Sequence, residues 1–215
     1  MSTLAIADLA DLLPIVSGIW EPIYQQETSG AGTGELLAAN LGPMLWGASV
    51  ETGPMYLDEA KQIRARILLL DGSMGTFYFW SPEAKGPQSD RNGVILDDAG
   101  VEIGSIGTNN RSVAFSGLPA GYQLTIGDMF HVDYGSPSRR ALFALGESGV
   151  ASSGGETAEL EVRPHIRPGI VAGAAVTLIK PAAKVKIMPD TLSIANQGGV
   201  HASLRFSVRQ TLQAG

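Results

Sequence analysis

The clearest pattern in the chain is a series of hydrophobic positions at three- and four-residue spacing within residues 57–70. Ala60, Ile63, Ile67 and Leu70 recur at the interval that places side chains on one face of an α-helix. The positions between them are mostly polar or charged, so one face suits burial and the other suits water. This pattern predicts one amphipathic helix, and no other stretch of the chain gives a comparable helix signal.

The residues on either side of this helix predict its start, its end and the next element of the chain. Asp58 and Glu59 fall in the first turn, where acidic side chains meet the positive end of the helix dipole. Gly72 comes after the last periodic residue, at the usual position of a left-handed cap. Four consecutive aromatic residues then occur within Thr76–Trp80, and this density of β-forming side chains predicts a strand.

Short β-forming runs recur along the rest of the chain and predict many short strands. The predicted strands are residues 15–25, 44–50, 112–115, 122–126, 129–134, 140–145, 158–162, 171–179, 185–187, 192–194 and 201–211. Their spacing of roughly ten residues is typical of a β-sandwich or barrel. The last run alternates strictly between apolar and polar residues, and Arg205 and Arg209 fall on its polar face.

Other local signals predict loops, turns and an edge. Residues 2–13 have apolar positions at helical spacing and predict a short N-terminal helix or docked arm, which Pro14 would end. Pro22 indicates an edge position for the strand that contains it. Residues 27–34 are rich in Gly, Ser and Thr and predict a flexible loop. Residues 94–103 predict a β-hairpin around an Asp-Asp-Ala-Gly turn.

Composition places the chain among folded globular proteins. It has 215 residues, of which 44% are hydrophobic and 17% charged, and its 27 glycines fit many turns between short strands. The net charge of −6 argues against wrapping nucleic acid and is compatible with DNA that passes by without binding. The absence of cysteine excludes disulfides and thiolate metal sites.

Targeting signals are weak throughout the sequence. The N-terminus lacks the positive charge with which a signal peptide begins. The longest weakly apolar stretch, residues 169–179, is shorter than the roughly 20 residues that a membrane-spanning helix needs. We therefore expect synthesis and folding in a cytoplasm, without insertion into a membrane.

Residues with catalytic or metal-binding chemistry are scattered. His131, His165 and His201 lie more than thirty residues apart, without a second ligand at metal-binding spacing. His131 and Asp133 share one face of a predicted strand, a placement that allows an ion pair. Residues 30–34 are glycine-rich but lack the lysine of a phosphate-binding loop. We expect no catalytic residues, no metal and no cofactor, and therefore no enzyme.

Four groups of residues together resemble a known family. They are Arg66, Asp71-Gly72, Gly75-Thr76-Phe77, Ser81-Pro82 and Gly86-Pro87; then residues 124–130; then residues 163–167; and finally residues 204–208. In this order and spacing they are similar to the minor tail proteins of long-tailed bacteriophages, of the distal tail or tail-tip type. The resemblance covers roughly residues 44–212.

The resemblance implies a fold and a place in an assembly. The implied fold is mainly β: a tail-tube-like β-sandwich or split barrel packed by one α-helix, with an inserted small β-barrel or sandwich domain. Residues 1–85 with 182–215 would form the ring-forming domain, and residues 86–181 the inserted peripheral domain. The implied role is a structural virion protein that joins the tail tube to the hub or baseplate and lines the DNA channel.

The same resemblance implies partners. The chain would form a homo-oligomeric ring, with six copies as the family expectation and three as the alternative. It would contact the tail tube protein, the tail hub and the tape-measure protein, and DNA would pass without specific binding. It would be assembled in the cytoplasm of the bacterial host and reside in the virion at the tail tip.

One tryptophan and the cations outside the apolar faces of the helix and the last strand are the predicted subunit-interface residues. Trp and Arg concentrate binding energy in interfaces, and the helix cations suit contact with an acidic neighbour. The predicted set is Trp20, Lys61, Arg64, Arg66, Arg205 and Arg209. A solvated helix face is an equally good explanation of the helix cations. The alternative function is a receptor- or carbohydrate-binding tail module that acts through the inserted domain. Tyr122, Phe130 and Tyr134 would be its stacking faces, although their spacing favours burial.

Overall fold

The computed structural model describes residues 3–30 and 32–214. Across these residues the chain is mainly β with one α-helix. A mixed nine-stranded sheet, called here the large sheet, carries the helix. A nearly closed six-stranded antiparallel sheet, called here the barrel, forms the second layer of structure. The predicted mainly β fold class is therefore confirmed.

The strands are short, as the spacing of turn residues predicts. In chain order they are β1 (Thr3–Leu4), β2 (Ile15–Ser17), β3 (Glu21–Ile23), β4 (Gln26–Gly30), β5 (Leu36–Asn40), β6 (Leu45–Thr52), β7 (Met55–Tyr56), β8 (Thr76–Trp80), β9 (Glu102–Ile106), β10 (Ser112–Ser116), β11 (Gln123–Leu124), β12 (Met129–Tyr134), β13 (Arg139–Leu145), β14 (Gly149–Val150), β15 (Leu160–Arg163), β16 (Val176–Thr177), β17 (Ala182–Ile187), β18 (Ser193–Gln197) and β19 (His201–Gln210). The helix α1 spans Leu57–Leu68, and short 3₁₀ helices span Ile6–Asp8, Ala10–Leu12 and Pro82–Ala84.

The large sheet is built from both ends of the described sequence. Its strand order is β1-β8-β17-β19-β6-β2, while β3 pairs with β6, and β7 and β18 pair with β19. The pairing of β1 with β8 is parallel, and the other pairings of this sheet are antiparallel. β3 pairs with β6 through Pro22 opposite Trp46, at the edge position that the proline predicts.

Helix α1 covers one face of the large sheet with the predicted stripe. Ala60, Ile63, Ile67 and Leu70 are all buried, in one cluster with Phe206 and other inward residues of β19. The same periodicity that identifies the helix therefore identifies its packed face. Beyond the helix the backbone of Gly72 has a φ of 66°, the left-handed conformation that favours glycine.

The barrel has the strand order β16-β12-β13-β15-β10-β9. Glu102 of β9 bridges Ala175, next to β16, so the last strand returns almost to the first. The rings of Phe115, Phe130 and Phe143 fill the interior, with centroid separations of 5.1 Å and 5.2 Å. This second core is separate from the core of the large sheet.

The outer face of the barrel packs against the large sheet. Met129 of β12 and Leu142 of β13 belong to the core cluster of the large sheet, although their neighbours along each strand point into the barrel. The indole Nε1 of Trp46 donates a hydrogen bond of 2.9 Å to the Leu142 carbonyl. The two layers therefore pack directly against each other, and the division into domains at residues 85/86 and 181/182 stays a prediction.

A hairpin projects from the large sheet where the sequence predicts a loop. β4 and β5 continue the β3–β6 hairpin and pair only with each other, from Gln26 opposite Asn40 to Gly30 opposite Leu36. All ten of their residues are exposed. We call the described part of residues 26–40 the arm. The flexible-loop prediction for residues 27–34 is wrong over 27–30, because the polar composition concealed a strand whose partner lies beyond the turn.

The hairpin predicted over residues 94–103 is also wrong. The buried Asp90 carboxylate accepts hydrogen bonds from the backbone N–H groups of Val94, Ile95 and Leu96, at 2.8–3.0 Å. These bonds hold the apolar run in a series of turns, and pairing begins only at Glu102 in β9.

Two further segments are shorter than predicted, and the N-terminal segment takes one of its two predicted forms. For residues 2–13 the sequence allows a helix or a docked arm, and the described residues 3–13 form two 3₁₀ turns whose Leu9, Ala10 and Leu13 are buried in the core, which is the docked alternative. Residue 2 lies outside the described residues. Of the predicted strands 122–126 and 171–179, only the two-residue strands β11 and β16 form.

None of the helices in the described part of the chain is long and apolar enough to cross a membrane.

Replacing Asp90 by alanine is expected to lower the free energy of unfolding by about 3 kcal/mol, because several backbone donors lose a charged acceptor in a buried setting. Urea unfolding of the variant measures this loss. Asp98→Ala is the control, since Asp98 is exposed in the same loop. Equal stability of the two variants would contradict a structural role for the Asp90 carboxylate.

Candidate subunit interface

The predicted cations of α1 lie on the exposed side of the helix. Lys61 forms an ion pair with Asp58 at 3.2 Å, and both side chains are largely exposed. Arg66 donates a hydrogen bond of 2.9 Å to the Asp8 carbonyl and thereby ties the helix to the N-terminal 3₁₀ turn. Arg64 forms no ion pair with any residue in the described ranges. Arg64 is therefore the cation of this helix that is most available to a neighbour.

The two arginines of β19 lie on the face of the large sheet that points away from the helix. Arg205 stands across from Glu51 of β6, whereas Arg209 stands across from Lys186 of β17. Like charges directly opposite each other destabilise a sheet. This face therefore carries a local excess of positive charge in a chain whose net charge is −6.

The predicted cations thus form two sets on opposite sides of the large sheet. The helix cations lie on the side of the sheet that α1 covers, because the helix packs over the inward residues of β19. Arg205 and Arg209 alternate with those inward residues and therefore lie on the other side. The structure does not bring the two sets together. A single self-complementary patch cannot include both, but a head-to-tail contact uses two different surfaces on each subunit.

Trp20 is the predicted interface residue that the structure buries. It is 7% exposed, and its ring meets Phe79 edge-on at a centroid distance of 5.2 Å. Its indole Nε1 has no hydrogen-bond partner within the described structure. Trp20 therefore packs within this chain, and Pro22 at the sheet edge did not reveal that the preceding tryptophan turns inward.

The arm is the exposed apolar feature that the sequence prediction missed. Leu36 is 72% exposed and Leu37 is 59% exposed, and as neighbours on a strand they point to opposite faces of the arm. An isolated two-stranded hairpin is marginally stable in water. The arm is recognised from the observed pairing of the two five-residue strands β4 and β5.

The contact between the barrel and the large sheet contains a buried histidine. The Nδ1 atom of His131 accepts a hydrogen bond of 3.2 Å from the Ala182 N–H. Burial, and then the positive charge of Arg140, lowers the pKa of His131 to about 3. Asp133 forms two hydrogen bonds of 2.7 Å with Arg140, and the guanidinium lies over the Tyr78 ring. The His131–Asp133 ion pair considered from the sequence is therefore replaced by an Asp133–Arg140 pair.

Burial alone would raise the pKa of the Asp133 carboxyl group, but its hydrogen bonds to Arg140 outweigh burial and lower it. His131 is neutral at neutral pH and acts as an acceptor that aligns β12 with the first residue of β17. This histidine therefore serves packing, with its ring held by the hydrogen bond from Ala182.

No group of metal-ligating side chains occurs among the residues that the structure describes. No protein-family model matches the chain. No curated protein matches it significantly either. The resemblance to phage tail proteins therefore rests on the motifs of the sequence.

Proposed function

We propose that this chain is a structural subunit that assembles into a homo-oligomeric ring at the tail tip of a long-tailed bacteriophage. In this role the ring joins the tail tube to the hub or baseplate and surrounds the channel through which DNA passes. The support is of two kinds: the motifs that resemble the tail-tip family, and the mainly β architecture with one helix, which is the class of fold that the resemblance implies.

The arm is the observation that carries the assembly proposal. It extends by two five-residue strands, about 17 Å, beyond the large sheet and pairs with no other described strand. Its leucines face water on both sides. A projecting hairpin with apolar side chains on both faces is expected to be covered by a partner, and a second copy of the chain supplies that partner in a ring.

The large sheet offers a surface that can receive an arm. β18 pairs with β19 alone among the described strands, so its other edge is free. Its residues from Ser193 to Asn196 are exposed. An arm on one side and a free edge on another are two different surfaces, which is what a closed head-to-tail contact requires. The helix cations and the arginines of β19 are the proposed charged contacts beside them.

Size-exclusion chromatography with light scattering tests the proposal on the full chain. We expect a species whose mass is about six times, or about three times, the 22.5 kDa of one chain, and it should dissociate on dilution. A mass of one chain at every concentration would count against the ring. The tube protein of the same particle, added in a second run, should co-elute with the ring.

Two of the three stacking residues proposed for the alternative, carbohydrate-binding function are buried. Tyr122 is 3% exposed and Phe130 is fully buried, so both belong to the barrel core. Tyr134 is partly buried against the same core. A carbohydrate site on the barrel would therefore need other residues than those three.

A further inference from the structure

A cleft of about 290 Å³ opens between the base of the arm and the segment immediately after β15. None of the interface residues predicted from the sequence lines it, and only Gln26 and Asn40, at the base of the arm, belong to the surface that the ring proposal uses. The residues that give it its chemistry are Tyr24, Gln25, Asn40, Arg163, His165 and Arg167. Its volume is near the lower limit for small-molecule sites and suits a single sugar-sized unit.

One wall of the cleft is positively charged. Arg163, His165 and Arg167 line it, and no aspartate or glutamate in the described part of the chain does. The pKa of His165 is lowered by partial burial and then by the positive charges of Arg111, Arg163 and Arg167. Glu161 offsets part of this charge, because it pairs with Arg163 at 2.6 Å. A cationic wall without acidic lining is unusual in a chain of net charge −6 and favours an anionic ligand.

Of the two arginines in the cleft, Arg167 is the one that forms no ion pair with any described residue. One Nη atom donates a hydrogen bond of 2.7 Å to the Met44 carbonyl, and its Nε is buried without an acceptor. A guanidinium that is held in position by a neutral carbonyl keeps its charge available to a carboxylate or phosphate. The contact with Met44 also fixes the arm base against the barrel, so both walls of the cleft are held in place.

The opposite wall is neutral and polar, with one exposed aromatic ring. Tyr24 is 60% exposed, which leaves its ring open to a ligand. The Asn40 Oδ1 atom accepts a hydrogen bond of 2.8 Å from Gln26, so the Asn40 amide N–H groups stay available as donors. Gln25 donates to the Pro43 carbonyl at 3.2 Å and keeps its own carbonyl oxygen as an acceptor. This wall suits a hydroxylated ring, which needs both donors and acceptors beside an apolar face.

We propose that this cleft binds an acidic saccharide unit, with the acidic group at Arg163 and Arg167 and the sugar ring against Tyr24. The acidic group is an oxyanion, either the carboxylate of a sugar acid or the phosphate of a sugar phosphate. The site lies at the junction of the arm and the barrel, and its existence does not depend on ring assembly.

A glycan array probed with the full chain tests the proposal. Neutral glycans, carboxylated glycans and phosphorylated glycans with matched backbones form its three arms. We expect binding only to acidic glycans, and the arm that responds identifies the oxyanion. Absence of any acidic binder, or equal binding of the matched neutral glycans, would overturn the proposal. Inorganic phosphate that competes as well as the free acidic sugar would overturn the assignment of a sugar.

Two variants locate the binding. Arg167→Gln and Tyr24→Ser are each expected to weaken binding about tenfold, because each removes a principal contact. Because Tyr24 is exposed, we expect its replacement to leave the fold intact, and an unchanged thermal unfolding temperature checks this. Arg139→Gln is the control for general attraction of anions, since Arg139 is exposed at the start of β13, outside this cleft and outside the predicted interface set. Equal losses in Arg139→Gln and Arg167→Gln would overturn the assignment to the cleft.

Discussion

Replacing Leu36 and Leu37 by serine is expected to convert the assembled protein into monomers while its thermal stability stays unchanged. Both leucines are mostly exposed in the single chain, so their replacement removes little contact within it. In the proposed ring each would be covered by a neighbour. Burial of one leucine side chain contributes roughly 2 kcal/mol, so loss of two weakens each contact about a thousandfold.

A matched variant separates the arm from general surface hydrophobicity. Val94→Ser with Ile95→Ser removes two adjacent apolar side chains that are 79% and 56% exposed, on a loop distant in sequence from the arm. We expect this variant to assemble as the wild type does. Mass photometry of both variants at equal concentrations is the measurement. Loss of assembly in both, or in neither, would remove the arm from the proposed contact.

The second large effect is expected in acid. The pKa of His131 is lowered to about 3 in the folded protein, chiefly by burial and then by Arg140, from an ordinary value of 6.5. As the pH falls below 6.5, the unfolded chain takes up a proton at this histidine and the folded chain does not. Protonation therefore favours unfolding, and stability falls by up to about 1.4 kcal/mol per pH unit between those two values.

His131→Asn tests this directly, because asparagine keeps an acceptor near the Ala182 N–H without the titrating ring. We expect the variant to lose less stability than the wild type between about pH 6 and about pH 4 in urea unfolding. His201→Asn is the control, since His201 is exposed. A pH dependence in His131→Asn as steep as that of the wild type would contradict the role given to this histidine.

The Asp133 carboxyl group adds a separate acid sensitivity. Its pKa is lowered despite burial because Arg140 hydrogen-bonds it, so the stability from this pair is lost as the pH falls through the folded-state pKa. Asp133 and Arg140 are present in wild type and in both histidine variants. The difference between His131→Asn and wild type therefore reports mainly on the histidine.

The parts of the fold that the sequence predicts well are those that bury one face in a regular period. The stripe from Ala60 to Leu70 and the alternation of β19 both have a single buried face, and both are found as expected. Pro22 likewise predicts its edge position, because proline cannot donate a ladder hydrogen bond. In each case the buried face or edge position that the local pattern predicts is also the one that tertiary packing favours.

The wrong predictions, and the features that the sequence did not predict, occur where a tertiary contact or an unusual environment decides the structure. Residues 94–96 have the composition of a strand, but the Asp90 carboxylate captures their backbone N–H groups. The arm buries neither of its faces, so no hydrophobic period marks it. Trp20 turns into the core beside Phe79, a contact between residues far apart in the chain.

The candidate interface shows the same division. The outward direction of Arg205 and Arg209 follows from the period of two and agrees with the structure, except that Arg209 is only partly exposed. The cationic cleft was beyond prediction, because Tyr24 and Arg167 meet only after the arm base packs against the barrel through Met44. A binding site formed by segments far apart in the sequence can be identified only once the fold is known.

Cryo-electron microscopy of the full chain, alone and with the tube protein, tests the proposed ring most directly. We expect closed rings of six or three copies around an open channel, with each arm lying on the neighbouring subunit. Particles of single chains under both conditions, or assemblies whose arms remain uncovered in solvent, would contradict the ring.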